Sequence, residues 1–151
     1  MADIIVNNFA EFKNEAENPA NEGNRLVLAI GGNFTFTSIV DCAWNVNITS
    51  QDIDNRSELL PQVGTLLRCD IDNLTIDNVN ITGVHDTTVL PPTTTAGIQI
   101  QGNCIANITN MEAKHFSVSP FKCIGNSNVD ISNCYIPVSY THLTLPTTSR
   151  V

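Results

Sequence analysis

Leu74-Thr75-Ile76-Asp77-Asn78 reads apolar, polar, apolar, polar, Asn, and the same order returns in Ala106-Asn107-Ile108-Thr109-Asn110 and Val129-Asp130-Ile131-Ser132-Asn133. Alternation with a period of two describes a half-buried strand, with Leu74/Ile76 and Val129/Ile131 turned to one face. The closing Asn tolerates the left-handed backbone of a sharp bend. Two earlier pentapeptides, Phe34-Thr35-Phe36-Thr37-Ser38 and Val46-Asn47-Ile48-Thr49-Ser50, carry the pattern with Ser in last place.

Working outward, the last three units are each preceded by a second short strand, Leu67-Arg68-Cys69, Ile98-Gln99-Ile100 and Phe121-Lys122-Cys123. The intervals Cys69 to Ile76, Ile100 to Ile108 and Cys123 to Ile131 are 7, 8 and 8 residues. A third short strand follows the Asn in Val79-Asn80-Ile81-Thr82 and Met111-Glu112-Ala113-Lys114, and Cys134-Tyr135-Ile136 begins another. Three strands per repeat, with loops of variable length between constant registers, describe a solenoid whose coils pair only with their neighbours. The fold class is therefore all-β, a partial parallel β-helix. On this reading Asn78, Asn110 and Asn133 stack as a structural ladder, their amides bonding from coil to coil. Leu74, Ile76, Ile81, Ile98, Ile100, Ile108, Val129 and Ile131 fill the interior, with Cys69 and Cys123 among them and no cavity.

Upstream, Val6 to Ala16 reads as a short amphipathic helix with Phe9, Phe12 and Ala16 on one face, ended by Pro19. It is expected to cap the first coil, since an uncovered β-helix end exposes sheet edges. The strand Arg25 to Ile30, closed by Gly31-Gly32, then opens the solenoid. The chain divides into an N-terminal helix and cap at 1–24, coils at 25–136 and a tail at 137–151.

That tail breaks the composition before it. Pro137-Val138-Ser139-Tyr140-Thr141-His142-Leu143-Thr144-Leu145-Pro146-Thr147 contains no Asn, Asp or Gly. It resembles a translated sequencing-library adaptor, the transposon end plus linker of a tagmentation library, and is not expected to belong to the fold. The coils then stop in mid-repeat near Ile136, and the open end is expected to drive self-association.

Seven Lys+Arg against fifteen Asp+Glu leave a formal net charge of −8. Scattered cations of this number provide no footprint for nucleic acid or an anionic membrane. No apolar run is long enough to insert in a bilayer, and the N-terminus lacks the pattern of a signal peptide. The five cysteines, Cys42, Cys69, Cys104, Cys123 and Cys134, show no metal-ligand spacing and read as small buried hydrophobes. No cofactor or metal is expected. His85 and His115 have no nucleophile at recognisable spacing, and six Asn-x-Ser/Thr tripeptides follow from a composition rich in Asn and Thr.

The helix Asn8-Phe9-Ala10-Glu11-Phe12-Lys13, the strand Leu26-Val27-Leu28-Ala29-Ile30, the segment Asn45 to Ser50 and the run Leu74 to Gly83 together resemble the N-terminal part of right-handed parallel β-helix proteins of the pectate-lyase-like superfamily, which implies a right-handed solenoid here. The likeness is nearest to bacterial adhesin-type surface proteins and phage tail-associated proteins. It implies an extracellular-facing, non-enzymatic module for attachment to a surface polysaccharide or host-cell surface. The alternative is the N-terminal part of a polysaccharide lyase or glycoside hydrolase, since this architecture hosts all of them. Family enzymes hold clustered carboxylates on outward strand positions; here the outward rows are Arg68, Gln99, Lys122 and Thr75, Asn107, Asp130. Asp70 and Asp72 fall in a turn, where Asp bonds its own backbone, so no catalytic residue is assigned. The candidate binding residues are Arg68, Gln99 and Lys122, with His85, Asp86, Thr87 and Thr88 of the insertion Val84 to Thr95, a loop held on a rigid scaffold.

Overall fold

The computed structural model describes residues 1–61, 65–83, 96–116 and 119–137. The chain opens with β1 (Asp3–Val6) and α1 (Phe9–Ala16), then winds through four turns of three short strands each. The first comprises β2 (Arg25–Leu28), β3 (Asn33–Phe36) and β4 (Val40–Asp41), and the second β5 (Asn47–Ser50), β6 (Glu58–Pro61) and β7 (Leu67–Cys69). The third comprises β8 (Asn73–Asp77), β9 (Asn80–Thr82) and β10 (Ala96–Ile100). The fourth comprises β11 (Ile105–Thr109), β12 (Ala113–Lys114) and β13 (Ser119–Cys123), and β14 (Asn128–Ser132) begins a fifth. Like strands of successive turns pair in parallel, giving three sheets ordered β1-β2-β5-β8-β11-β14, β3-β6-β9-β12 and β4-β7-β10-β13. The architecture is a parallel β-solenoid.

The registers turn the period-two pattern into axial columns. In the longest sheet Leu26, Ile48, Ile76, Ile108 and Ile131 occupy one row, each opposite the next. A second sheet stacks Phe34, Leu59, Ile81 and Ala113, and the third stacks Val40, Leu67, Ile98 and Phe121. From Leu26 to Ile108 and from Phe34 to Ala113 these residues are buried. A strand rung advances the column by about 4.8 Å, so each apolar side chain touches the ones above and below it. The Phe116 ring packs against the backbone at Gly83 and Gly97, where an added Cβ would lie only 3.1 and 2.9 Å from it.

The helix caps the first turn by aromatic contact. Phe9 meets Phe36 with ring centroids 4.8 Å apart, and Phe12 meets Phe36 and Phe34 at 5.3 and 6.4 Å. Asn8 caps the helix by accepting from the Glu11 N–H at 2.9 Å. Buried Trp44 donates from Nε1 to the Glu15 carbonyl at 2.9 Å, fastening the far end of the helix.

Several expectations are corrected. Val6 belongs to β1 and not to the helix, because its backbone pairs with Leu28, and β1 adds a rung that the repeat pattern did not reveal. The Phe34 pentapeptide lies in the sheet of β6 and β9, not with the other four, since alternation reports burial and is blind to which sheet a strand joins. Cys123 is exposed, and Val129 and Ile131 are only partly buried, because among the described residues no further rung covers the last turn. Residues 138–151, and so nearly all of the adaptor-like tail, lie outside the described residues.

Position along the column sets the cost of a core truncation. Ile76→Ala, covered on both sides, is expected to lower the unfolding free energy in urea by about 2–5 kcal/mol. Ile131→Ala, covered on one side, is expected to cost less than half as much; equal losses would contradict the column.

Candidate functional site

The corner after the longest sheet is where the repeat is least uniform. In the third, fourth and fifth turns one residue makes the bend: Asn78, Asn110 and Asn133 have φ of 59°, 53° and 52°. This is the left-handed region that Asn tolerates best after Gly. The amide of Asn133 donates to Asn110 Oδ1. Asn110 in turn donates to Asp77 Oδ1 at 2.8 Å, and Asn78 donates to Asp77 Oδ2 at 2.8 Å. Thr109 Oγ1 also donates to Asp77 Oδ1, at 2.5 Å. Asn133 and Asn110 thus bond directly, while the Asp77 carboxylate joins Asn110 to Asn78.

In the second turn Ser50 takes the place of the Asn, and the chain leaves the bend for a loop at 51–56. Two buried serines close its neck. The Ser57 N–H donates to Ser50 Oγ at 2.8 Å, Ser50 Oγ donates to the Asn78 carbonyl at 2.5 Å, and Ser57 Oγ donates to the Ala29 carbonyl at 2.7 Å. Arg56, the last loop residue, therefore extends along the outward row Asn80, Glu112, Tyr135. These residues, with Met111, Asn133 and Cys134, line an open groove of about 490 Å³. Arg56 has no ion-pair partner among the described residues; its Nη1 reaches Asn80 Oδ1 at 3.5 Å. Asn80 Oδ1 also accepts from the Glu112 N–H at 3.0 Å, and Glu112 holds Lys114 loosely at 3.7 Å. Tyr135 is exposed at the lower end. The groove combines one uncommitted guanidinium, a carboxylate, two amides and an aromatic ring, a donor and acceptor mixture suited to a polyhydroxylated ligand.

The predicted outward rows lie elsewhere. Asp41, Arg68, Gln99 and Lys122 are successive partners in one sheet, and Asn47, Thr75, Asn107 and Asp130 in another. Arg68 is committed: its Nε and Nη2 fork onto the Asp41 carboxylate at 2.5 and 3.1 Å. That hydrogen-bonded guanidinium holds the Asp41 carboxyl below, and the carboxylate holds Arg68 above, their ordinary ranges. Gln99 bonds Gln101 within its own strand end, and Lys122 is exposed. His85, Asp86, Thr87 and Thr88 lie outside the described residues.

No protein-family model matches this chain, no curated protein matches it, and no solved structure does. Among the described residues no group of three or more His, Cys, Asp or Glu side chains is placed to hold a metal ion. The groove was not legible as a site because its residues are far apart in sequence. The one available signal was the spacing Ser50-to-Ser57, seven residues where the later turns use a single Asn.

Arg68→Gln is expected to return the Asp41 pKa upward to the usual carboxylate range, read by NMR titration of the Asp41 carboxyl carbon. Since the folded pKa is depressed, the pair's contribution exists above the unfolded Asp value and disappears as pH falls through the folded one. An Asp41 pKa unchanged by the substitution would show that the fork is not its cause.

Proposed function

We propose that this chain is a rigid, non-enzymatic β-solenoid module for attachment to a cell-surface or polysaccharide glycan, as its resemblance to pectate-lyase-like adhesin-type and phage tail-associated proteins implies. The observation that carries the reading is the groove of Arg56, Asn80, Glu112 and Tyr135 on a shaft held by three parallel sheets. A rigid frame suits attachment because the outward groups need not be ordered on binding, so less free energy is lost to conformational entropy. Carboxylate chemistry has little support here: Asp77 is consumed by three donors at the bend and Asp41 by Arg68. Glycoside hydrolysis needs two carboxyl groups flanking one bond.

A panel of purified bacterial surface polysaccharides and host-type glycans, screened by immobilised array and then calorimetry, tests the reading. The expected result is saturable binding without new reducing or unsaturated ends. Arg56→Ala and Tyr135→Ala should each weaken it by roughly tenfold, about 1.4 kcal/mol, and Asp130→Ala, exposed on another sheet, should leave it unchanged. Chain cleavage, or binding indifferent to Arg56, contradicts the assignment.

The last turn supports a second property, self-association of this chain through its open end. Among the described residues β13 and β14 pair with β10 and β11 on one side only, and Ile124 and Tyr135 are exposed beside partly buried Phe121, Val129 and Ile131. Unpaired edges next to apolar surface favour pairing with another chain. Sedimentation velocity should give a weight-average mass that rises with concentration; a single monomeric species throughout excludes it.

A further inference from the structure

Five cysteines are distributed over the turns, and two of them meet. Val40 faces Leu67 and Asp41 faces Arg68 across β4 and β7, so the next position brings Cys42 beside Cys69 on adjacent rungs. The Cys42 N–H donates to the Arg68 carbonyl at 3.0 Å, continuing the ladder through that position. The two sulfurs are 3.5 Å apart, Cys69 fully buried and Cys42 8% exposed. Adjacent rungs place Cα atoms about 4.8 Å apart, inside the range of about 4.4–6.8 Å that a disulfide spans. On the outer face of the same two rungs the Asp41–Arg68 fork holds them in register.

The other cysteines are placed differently. Cys123 is separated from Cys69 by the whole rung of Ile100. Cys134 directs its sulfur to the carbonyls of Ser132 and Ile108 at 3.3 and 3.6 Å. Cys104 lies in the bend after β10, off the row of Cys42 and Cys69.

We infer that Cys42 and Cys69 form a site for an inter-turn disulfide, a covalent staple between the helix-capped first turn and the second. Rotation about the two Cα–Cβ bonds closes the sulfur gap while the ladder stays in place. In the reaction the two thiols lose two protons and two electrons to a small-molecule disulfide, such as oxidised glutathione, whose S–S bond is cleaved to two thiols. The bond closes a loop 27 residues apart in sequence and so removes freedom from the unfolded chain. Cys69 is held as the thiol, first by its hydrogen bond with Cys42 and then by burial, well above the usual thiol range. Thiolate is the attacking species, so the staple forms readily while this corner is open during folding and slowly once it is closed. The inference does not depend on what the groove binds.

The test is refolding of the whole wild-type chain in a glutathione redox buffer, followed by alkylation of free thiols and peptide mapping without reduction. The expected product has lost two hydrogens and contains one cross-linked peptide pair, joining Cys42 to Cys69, with Cys104, Cys123 and Cys134 alkylated. Its Tm should exceed that of the reduced chain by on the order of 10 °C, and Cys42→Ala should abolish both cross-link and Tm difference. A dithiol at Cys42 and Cys69 after oxidative refolding, a disulfide joining either to another cysteine, or a staple that lowers the Tm would overturn it. The mapping is decisive on wild-type protein even if the variant fails to fold.

Discussion

The contact of one apolar residue with the residue at the same place in the next turn is the interaction on which this structure depends. Leu26, Ile48, Ile76, Ile108 and Ile131 form a single file, and the two other sheets supply parallel files that meet it in the centre. None of the strands, two to five residues long, could hold its shape alone. Burial of a whole file offsets the entropy of ordering them. The same stacking carries the outward side chains into register, which is why Asp41 can fork with Arg68 and why Cys42 meets Cys69.

Such a stack is closed only where something covers its end. At the N-terminal side, Phe9 and Phe12 of the short helix lie on the rings of Phe34 and Phe36, and Trp44 and Asn21 bind the carbonyl of Glu15. At the other side, β13 and β14 are the outermost strands among the described residues, and the file fades from fully buried Ile108 to partly buried Ile131. The two ends thus differ among the described residues: the first turn is covered by aromatic packing and hydrogen bonds, whereas the last leaves apolar side chains only partly buried.

Much of this was legible in the sequence because a solenoid repeats its instructions. Period-two alternation marked the strands, the recurring Asn marked the bend, and the nearly constant interval between them marked the register. The features that escaped have no repeat to announce them. β1 is four residues whose strand character comes from pairing with β2, and β4 is two residues, too short for a pattern, so Asp41 was not seen as the partner of Arg68. The Ser50–Ser57 neck replaces the Asn bend once, and its effect, swinging Arg56 over Asn80, is a property of three turns together. Cys123 follows the repeat faithfully yet is exposed, since sequence pattern records which face a side chain takes and not whether another rung lies beyond it.

Methyl-labelled NMR of the isoleucines tests the columnar account most directly. The account predicts methyl–methyl contacts from Ile48 to Ile76, from Ile76 to Ile108 and from Ile108 to Ile131, with none from Ile48 to Ile108, because an entire rung separates those two. Contacts that skip a rung, or isoleucines paired as in antiparallel hairpins, would contradict it.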